Sequence, residues 1–286
     1  MLTAHGGVRQ VLKYPGSKAA LRGDIVSHFP EHTTYVEAFG GGASVLLFKP
    51  QSTVEYYNDV DSMLTDFFRI LREDGDELQR LLHYIEFTPY ARSELKEARK
   101  TLKAGSSDKV EFMRAMLVCA WMSRMSMLHD ATTGWLSHKG EAKEIMRWEQ
   151  LPDRLRDAAR RLKQVFIENR PAVQLMKALD GRDTLFYLDP PYPSATLNAR
   201  NKIDNYYRHA MTDGDHEELL TVATSLKGSV IISGYRCRLY DRLLKHWHRI
   251  DLQHQTAMGA KKTECLWMNF QPRSQLALFQ EANECT

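Results

Sequence analysis

The chain has 286 residues, of which 43% are hydrophobic and 26% are charged, and its formal net charge is +3. No segment approaches the roughly 20 consecutive apolar residues that cross a bilayer, and the N-terminus lacks the apolar core of a signal peptide. The composition therefore excludes a membrane-spanning protein. It predicts a cytoplasmic globular chain, long enough for one large domain or for a core domain carrying a smaller one.

The cysteine and histidine patterns do not predict a metal site. The cysteines are widely spaced and form no Cys-x-x-Cys pair, so neither a zinc site nor a disulfide framework is indicated. His246 and His248 flank Trp247 and would share one strand face, which suits a metal, but a half-exposed strand is the favoured interpretation. We therefore expect no metal cofactor.

The N-terminal part of the chain predicts a strand, a glycine turn, a helix and a second strand. Residues 34–38 form the short strand, and the glycine turn at residues 39–42 follows it. The apolar residues of 43–48 predict a helix that Pro50 ends. Residues 54–57 predict the second strand, which closes on Asn58 and Asp59.

From residue 62 to about residue 128 the pattern changes to amphipathic helix. Met63, Phe67, Ile70 and Leu71 recur at helical spacing, and this spacing continues up to the long run that begins at Val110. The polar, turn-rich stretch 131–140 predicts a loop. The block interrupts the alternation of strands and helices, so we interpret it as an insertion.

The alternation then resumes. The sequence predicts a helix at residues 152–163, a strand at 165–167, a helix opened by Pro171 and a strand at 185–188. Later strands are predicted at residues 229–233, 247–252 and 264–270. The predicted fold class is therefore α/β, with a mainly helical insertion in about the middle third of the chain.

The stretch LFYLDPPY, residues 185–192, ends the predicted interior strand with an acid and two prolines. Proline lacks the N–H that a sheet ladder requires, so Asp189 must lie at the carboxyl end of that strand. Ligands of open α/β sheets bind at this edge. The competing interpretation is a strand followed by a rigid surface turn.

Two further segments carry candidate binding groups. Residues 13–18 place Tyr14 and Lys18 around a turn, which alone indicates only a surface turn. The glycines after the first strand would let a ligand approach the backbone and a helix N-terminus. Asp59 follows about 20 residues later, at the spacing where an acid accepts hydrogen bonds from a ribose. Asp61 precedes a predicted helix, so N-capping is its expected role.

These elements, in this order, resemble the Dam-type (D12 class) DNA adenine-N6 methyltransferases that use S-adenosylmethionine. The resemblance rests on the lysine-containing turn at residues 13–18, the Glu-x-Phe-x-Gly-Gly loop at 37–42, the Asn-Asp at 58–59, the Asp-Pro-Pro-Tyr at 189–192, the Ser-Gly-Tyr at 233–235 and the Glu-Cys-Leu-Trp at 264–267. Ala38 departs from the proline common in the family, and the insertion does not obviously carry the residues by which Dam reads its site.

The resemblance implies a Rossmann-like methyltransferase sheet with helices on both faces and a helical target-recognition insertion. Residues 1–61 and 150–286 would form the catalytic, S-adenosylmethionine-binding domain, and residues 62–149 the DNA-recognition insertion. The implied product is S-adenosylhomocysteine, with no metal. The implied cofactor-binding residues are Tyr14, Lys18, Glu37, Phe39, Gly40, Gly42, Asp59 and Asp189, and the implied catalytic residues are Asp189, Pro190, Pro191 and Tyr192.

The implied substrate is double-stranded DNA, from which the target adenine is flipped out. The insertion, the loop near residues 132–135, the polar stretch 198–208 and the basic cluster around Tyr235 and Tyr240 are candidates for DNA contact. The predicted contact residues are Arg124, Thr132, Trp135, Arg200, Asn201, Lys202, Tyr206 and Arg236. The enzyme would act as a monomer or as a homodimer on a palindromic site, either as an orphan or with a cognate restriction enzyme.

Other functions stay open at this point. The same motif suits methylation of cytosine N4 or of RNA adenine, although Asp before Pro-Pro favours adenine by the resemblance. A DNA-binding regulator with a degenerate methyltransferase core is a further alternative. A nicotinamide dehydrogenase would need Gly-x-Gly-x-x-Gly. The glycines here run from Gly40 to Gly42, and the predicted helical stretch up to Leu46 has no glycine to complete that pattern.

Overall fold

The computed structural model describes residues 7–123, 134–136, 142–196, 208–255 and 261–272. Within these ranges the strands form one seven-stranded sheet. The strands are β1 (Thr34–Glu37), β2 (Val54–Asn58), β3 (Val165–Glu168), β4 (Thr184–Leu188), β5 (Ser229–Gly234), β6 (His248–Gln255) and β7 (Lys261–Met268). Their order across the sheet is β3-β2-β1-β4-β5-β7-β6.

The first five strands are parallel, and the last two form an antiparallel hairpin at the edge. β1 pairs with β2 and β4, β2 with β3, and β4 with β5, all in parallel. β7 inserts between β5 and β6 and runs antiparallel to both. The hairpin places β7 directly beside β5, the strand that carries Ser233 and Gly234.

Helices cover both faces of the sheet. They are α1 (Arg22–Ser27), α2 (Ser62–Glu73), α3 (Asp76–Phe87), α4 (Arg92–Ala104), α5 (Lys109–Met122), α6 (Ala142–Glu149), α7 (Leu151–Leu162), α8 (Ala172–Ala178), α9 (Asp213–Ser225) and α10 (Arg238–Leu243). Leu185 and Tyr187 of β4 join a core with α2, α5 and α7. Phe186 and Leu188 join a second core with α8 and α9. The predicted α/β class with helices on both faces is confirmed.

The continuous apolar run of β4 is explained by this double cover. Each of its residues is buried, because a parallel strand between two helical layers has no solvent-facing side. The prediction of an interior strand that ends before Asp189 therefore agrees with the structure.

The block of helices from α2 to α7 shares the core of the sheet. Asp61 is the N-cap of α2, as predicted, and its carboxylate accepts the Met63 N–H at 3.0 Å. α2 packs against α7 and β3, and the Trp121 Nε1–H of α5 donates to the Val11 carbonyl at 3.0 Å. The division of the chain at residues 61/62 and 149/150 stays a prediction.

The helix predicted at residues 43–48 is wrong. This segment is a series of turns, and only single helical turns form, such as the bond from the Leu47 N–H to the Ala43 carbonyl at 3.0 Å. Gly41 and Ala43 have φ values of +48° and +52°. A left-handed residue at each of these positions cannot belong to a right-handed helix, although the apolar spacing that follows them is helical.

The helices of the described ranges include none that is long and apolar enough to span a membrane.

Candidate active site

A cleft opens at the carboxyl ends of β1, β2 and β4. It encloses about 790 Å³, which includes space open to solvent at its mouth. From β1 the chain proceeds outward to β2 and β3, whereas β4 and β5 continue on the other side of β1. The cleft therefore lies where the strand order reverses, which is the usual ligand site of an open α/β sheet.

The structure brings together residues that the sequence places in four separate segments. The cleft is lined by the predicted cofactor-binding residues Tyr14, Lys18, Glu37, Phe39, Gly40, Gly42, Asp59 and Asp189, and by Pro190 and Pro191. The sequence analysis did not single out His209 and Met211, which also line it and follow the polar stretch after β4.

The glycine turn brings its backbone against two tyrosine rings. A Cβ on Gly40 would lie 2.1 Å from Cε2 of Tyr57, and one on Gly41 would lie 3.3 Å from Cδ1 of Tyr14. The Tyr57 hydroxyl also donates to the Gly41 carbonyl at 2.8 Å. Glycine is thus required here by close approach and by the positive φ of Gly41, and not by a following helix.

Asp59 is held against this turn. Its Oδ2 accepts the Gly41 N–H at 2.8 Å, and its Oδ1 accepts the Asp61 N–H at 2.9 Å. Burial raises the pKa of Asp59 to about 6, although the backbone hydrogen bonds from Asp61 and Gly41 act in the opposite direction. The nearby Asp61 carboxylate accepts a hydrogen bond from Arg208 at 3.1 Å.

Lys18 lines the cleft and is the centre of a buried polar network. Its ammonium donates to Asp189 Oδ1 at 2.6 Å, to the Tyr192 hydroxyl at 3.0 Å and to the Gly16 carbonyl at 3.1 Å. Burial by itself lowers the pKa of Lys18, but the charges of Asp189 and Glu264 outweigh it and raise that pKa. Lys18 is 4% exposed.

Asp189 is fixed from a second side by β5. The Ser233 hydroxyl donates to Asp189 Oδ1 at 2.9 Å, so the Tyr187 hydroxyl donates in turn to the Ser233 oxygen at 2.9 Å. Among the described residues, the side-chain donors to Asp189 all meet Oδ1. This arrangement leaves Oδ2 as an acceptor for a ligand in the cleft.

Glu264 of β7 completes the network, and the sequence analysis did not identify it as a site residue. Its Oε1 lies 3.5 Å from the Lys18 ammonium, and its Oε2 accepts from the Tyr192 hydroxyl at 3.1 Å. Burial raises the pKa of Glu264, and the charge of Asp189 adds to this effect. The available signal was an acid at the head of an otherwise apolar strand segment, Glu264-Cys-Leu-Trp267.

Tyr192 is buried rather than open to the cleft. Its ring stacks on Tyr235 with the centroids 4.3 Å apart and the planes at 25°. On Tyr235 itself, the Lys262 ammonium lies 4.7 Å from the ring centroid. Tyr192 is 8% exposed, so little of its surface is available to a ligand.

Glu37 is the remaining buried acid of the cleft. Its Oε2 accepts from the Tyr35 hydroxyl at 2.7 Å. Burial raises the pKa of Glu37 to about 8, and the Asp189 charge contributes in the same direction. Burial therefore favours the protonated form of this carboxyl group.

A comparison with known protein families decides the assignment. The model of the D12 class N6 adenine-specific DNA methyltransferases matches residues 14–258. The chain belongs to this family. No curated protein matches the chain significantly.

Membership of the methyltransferase family implies S-adenosylmethionine as the methyl donor and DNA as the substrate. The cleft fits such a cofactor in two respects. Two carboxylates, Asp189 and Glu264, share one ammonium, which favours a cationic sulfonium nearby. In addition, Asp61 Oδ2 is buried and has no hydrogen-bond partner in the described part of the chain, so a ligand donor would satisfy it.

The predicted DNA-contact residues are only partly described. Arg124, Thr132, Arg200, Asn201, Lys202 and Tyr206 lie outside the described residues. The Trp135 ring is half-buried and packs 5.0 Å from the Tyr90 ring, so it contributes to the core. Arg236 is exposed and donates to Asp241 at 2.9 Å. The DNA-contact roles of both residues stay predictions.

Proposed function

We propose that this methyltransferase transfers the methyl group of S-adenosylmethionine to N6 of an adenine that is flipped out of double-stranded DNA at a specific short sequence. The observation that carries the proposal is the cleft itself. It combines the glycine turn, Asp59 and Lys18 with the turn of Asp189, Pro190 and Pro191 in one space. The cofactor and the target amine would therefore meet at Asp189.

Asp189 and Pro190 would act on the target nitrogen. The N6 lone pair is delocalised into the adenine ring, and acceptors on both N6 hydrogens would favour a more tetrahedral nitrogen. The Asp189 Oδ2 and the Pro190 carbonyl are the proposed acceptors, and proline adds no competing N–H. Methylation would release one proton from N6, and Asp189 would accept this proton. Positioning of this kind can contribute roughly 7–11 kcal/mol.

The role of Lys18 follows from its donors. An ammonium has three N–H groups, and Asp189, Tyr192 and Gly16 already accept from it. We therefore propose that Lys18 orients Asp189. Binding of the methionyl carboxylate by Lys18, which the resemblance implies, would require one of these bonds to be given up.

The remaining cofactor contacts are proposed by residue type. Asp59 would accept from the ribose hydroxyls, and the backbone of residues 39–42 would lie against the methionyl part. Tyr14 would lie against the adenine or the sulfonium region. When bound, the cofactor supplies the electrophilic methyl group, and we propose that no metal takes part.

The wider context also belongs to the proposal. The insertion at residues 62–149 would recognise the DNA site, and phosphate contacts would offset the few kcal/mol that flipping the adenine costs. The enzyme would work in the cytoplasm as a monomer or a homodimer, with or without a cognate restriction enzyme. S-adenosylhomocysteine would be the product.

The test is methylation of unmodified plasmid DNA by the purified chain, with mass spectrometry of the digested nucleosides and long-read sequencing of the product. N6-methyladenine at one short motif supports the proposal, whereas N4-methylcytosine or no modified base contradicts it. We expect Asp189→Ala to abolish turnover. Asp183→Ala is the matched control, because Asp183 directly precedes the same strand at its opposite end.

A further inference from the structure

Glu264 introduces a buried charge that the packing of β7 does not require. It is 1% exposed and precedes the buried core residues Cys265 and Leu266. The Lys18 ammonium is already paired with Asp189 at 2.6 Å, so an apolar residue at position 264 would leave that pair intact. Burying an additional carboxylate costs several kcal/mol, and this cost points to a role in the site.

The contacts of Glu264 indicate that role. Its Oε1 and Oε2 lie 3.4 and 3.1 Å from the Tyr192 hydroxyl, which accepts a hydrogen bond from Lys18 and donates to Glu264. The ring of Tyr192 stacks on Tyr235. Tyr192 is thus fixed at its hydroxyl by a cation and an anion and at its face by a second ring.

We propose that Glu264 is a positioning residue of the methyl-transfer site: its carboxylate holds the Tyr192 hydroxyl and the Lys18 ammonium, and through Lys18 it holds the Asp189 carboxylate. Glu264 does not touch the reacting atoms. The inference rests on the proposed function, because it assigns Glu264 a part in the same reaction. It also explains how an edge hairpin far along the chain contributes to a loop that follows β4.

The test compares Glu264→Gln with the wild type. Glutamine keeps the volume but removes the negative charge that faces the Lys18 ammonium, and it presents an NH2 group in place of one acceptor oxygen. We expect kcat for a DNA oligonucleotide to fall about 10-fold to 100-fold, the range that a misplacement of about 1 Å produces. We expect Kd for S-adenosylhomocysteine, measured by calorimetry, to change less than about 3-fold, which is under 1 kcal/mol. Glu264→Asp should recover part of the lost kcat, because it restores a carboxylate.

Glu55→Gln is the matched control. Glu55 is equally buried at 1% exposure and is paired with a buried lysine, but it is not among the residues that line the cleft. Its folded fraction should retain the wild-type kcat. An equal loss of kcat in both variants would mean that the effect comes from general destabilisation, and it would overturn the inference.

A double-mutant cycle with Tyr192→Phe keeps the inference testable if Glu264→Gln folds poorly. Removing the hydroxyl alone should lower kcat, and the two substitutions together should cost less than the sum of both. Additive effects, a wild-type kcat in Tyr192→Phe, or a loss of cofactor affinity equal to the loss of kcat would each contradict the assignment. If the wild type itself does not methylate DNA, the proposed function fails instead.

Discussion

Two buried lysines lie near opposite ends of the parallel strands and have opposite surroundings. Lys18, near the carboxyl end of β4, is paired with the two carboxylates of Asp189 and Glu264. Lys49, near the amino end of β2, shares the single carboxylate of Glu55 with Arg161. The first cluster thus has an excess of acids and the second an excess of cations.

The pKa shifts follow this difference in charge. At the amino end, burial lowers the pKa of Lys49, and hydrogen bonds from Arg161 together with the Lys49 charge bring the pKa of Glu55 below its usual value despite burial. At the carboxyl end the pKa of the lysine and the pKa of the glutamate both shift the other way, since those of Lys18 and Glu264 are raised.

The two clusters also differ in their surroundings, since Lys49 and Ser52 line a separate surface groove, whereas Lys18 and Asp189 line the candidate active site. Lys49 also donates to the Pro50 carbonyl and to the Ser52 hydroxyl, and Arg161 donates to the Leu46 carbonyl. Arg161 Nε is buried and has no hydrogen-bond partner among the described residues, so the excess positive charge is only partly satisfied. The acid-rich cluster borders the cleft, where a cationic ligand would complete it. The comparison teaches that the sign of the excess charge, and not burial or imbalance alone, distinguishes the two clusters, because only an excess of acids favours a cationic ligand.

The largest expected effect is on stability, in the cation-rich cluster of Lys49, Arg161 and Glu55. Glu55→Gln leaves Lys49 and Arg161 without their shared carboxylate, and breaking a buried pair in this way costs about 3–5 kcal/mol. Urea unfolding should show this decrease, while kcat of the folded enzyme stays near the wild-type value. A stability within 1 kcal/mol of the wild type would show that the cluster does not depend on Glu55.

The next effect is on activity, in the acid-rich cluster of Lys18, Asp189 and Glu264. Lys18→Met leaves Asp189 without its strongest hydrogen bond and two acids without their cation, so we expect kcat to fall about 10²-fold to 10³-fold. Single-turnover methylation at saturating cofactor measures the change. Lys49→Met is the control and should leave that rate unchanged, and a similar loss in both variants would erase the distinction between the clusters.

A backbone substitution sharpens the comparison at the glycine turn. Gly40→Ala places a Cβ 2.1 Å from the Tyr57 ring, which must shift. We expect a loss of about 1–3 kcal/mol in the free energy of unfolding, as in other overpacked sites. A Cβ added to Gly23 of α1 would have open space around it, so Gly23→Ala should instead stabilise the protein by up to about 1 kcal/mol. Thermal or urea unfolding of both variants tests this contrast.

The smallest effect concerns another acid that lines the cleft, Asp59. The pKa of Asp59 is raised from 3.8 in the unfolded chain to about 6, so the folded protein loses this charge as the pH falls through 6. A charged acceptor forms the stronger hydrogen bond, and affinity for S-adenosylhomocysteine should therefore be about 5-fold to 10-fold higher at pH 7 than at pH 5. Calorimetric titrations at both pH values measure the difference.

The Asp59→Asn variant is the control for this pH effect. Asparagine does not titrate, so the step near pH 6 should disappear in the variant. The same linkage has a consequence for folding. Because the folded state binds the proton more tightly, the contribution of Asp59 to the free energy of unfolding increases as the pH falls from about 6 to 3.8. This contribution is fully present below pH 3.8 and is lost as the pH rises through about 6. A step that persists in Asp59→Asn would belong to another group.

Local patterns in the sequence were sufficient for much of this protein. The apolar run of residues 185–188 defined an interior strand, and the prolines after Asp189 fixed its end, because both effects act within a few residues. The cap at Asp61 and the placement of Asp59 after β2 followed from similarly local rules. The Asp-Pro-Pro-Tyr motif and the glycine loop also carried the family resemblance. The match of the family model to residues 14–258 confirms this resemblance.

Only the tertiary structure decided which of these groups meet. Lys18 and Asp189 are 171 positions apart, and Tyr192 and Glu264 are 72 apart. The contact of Tyr192 with Glu264 depends on β7 entering the sheet beside β5, which no local period specifies. The turns at residues 43–48 show the same limit, since left-handed residues at Gly41 and Ala43 override a helical spacing. Hydrophobic period determines which face is buried, whereas strand order determines which buried charges become neighbours.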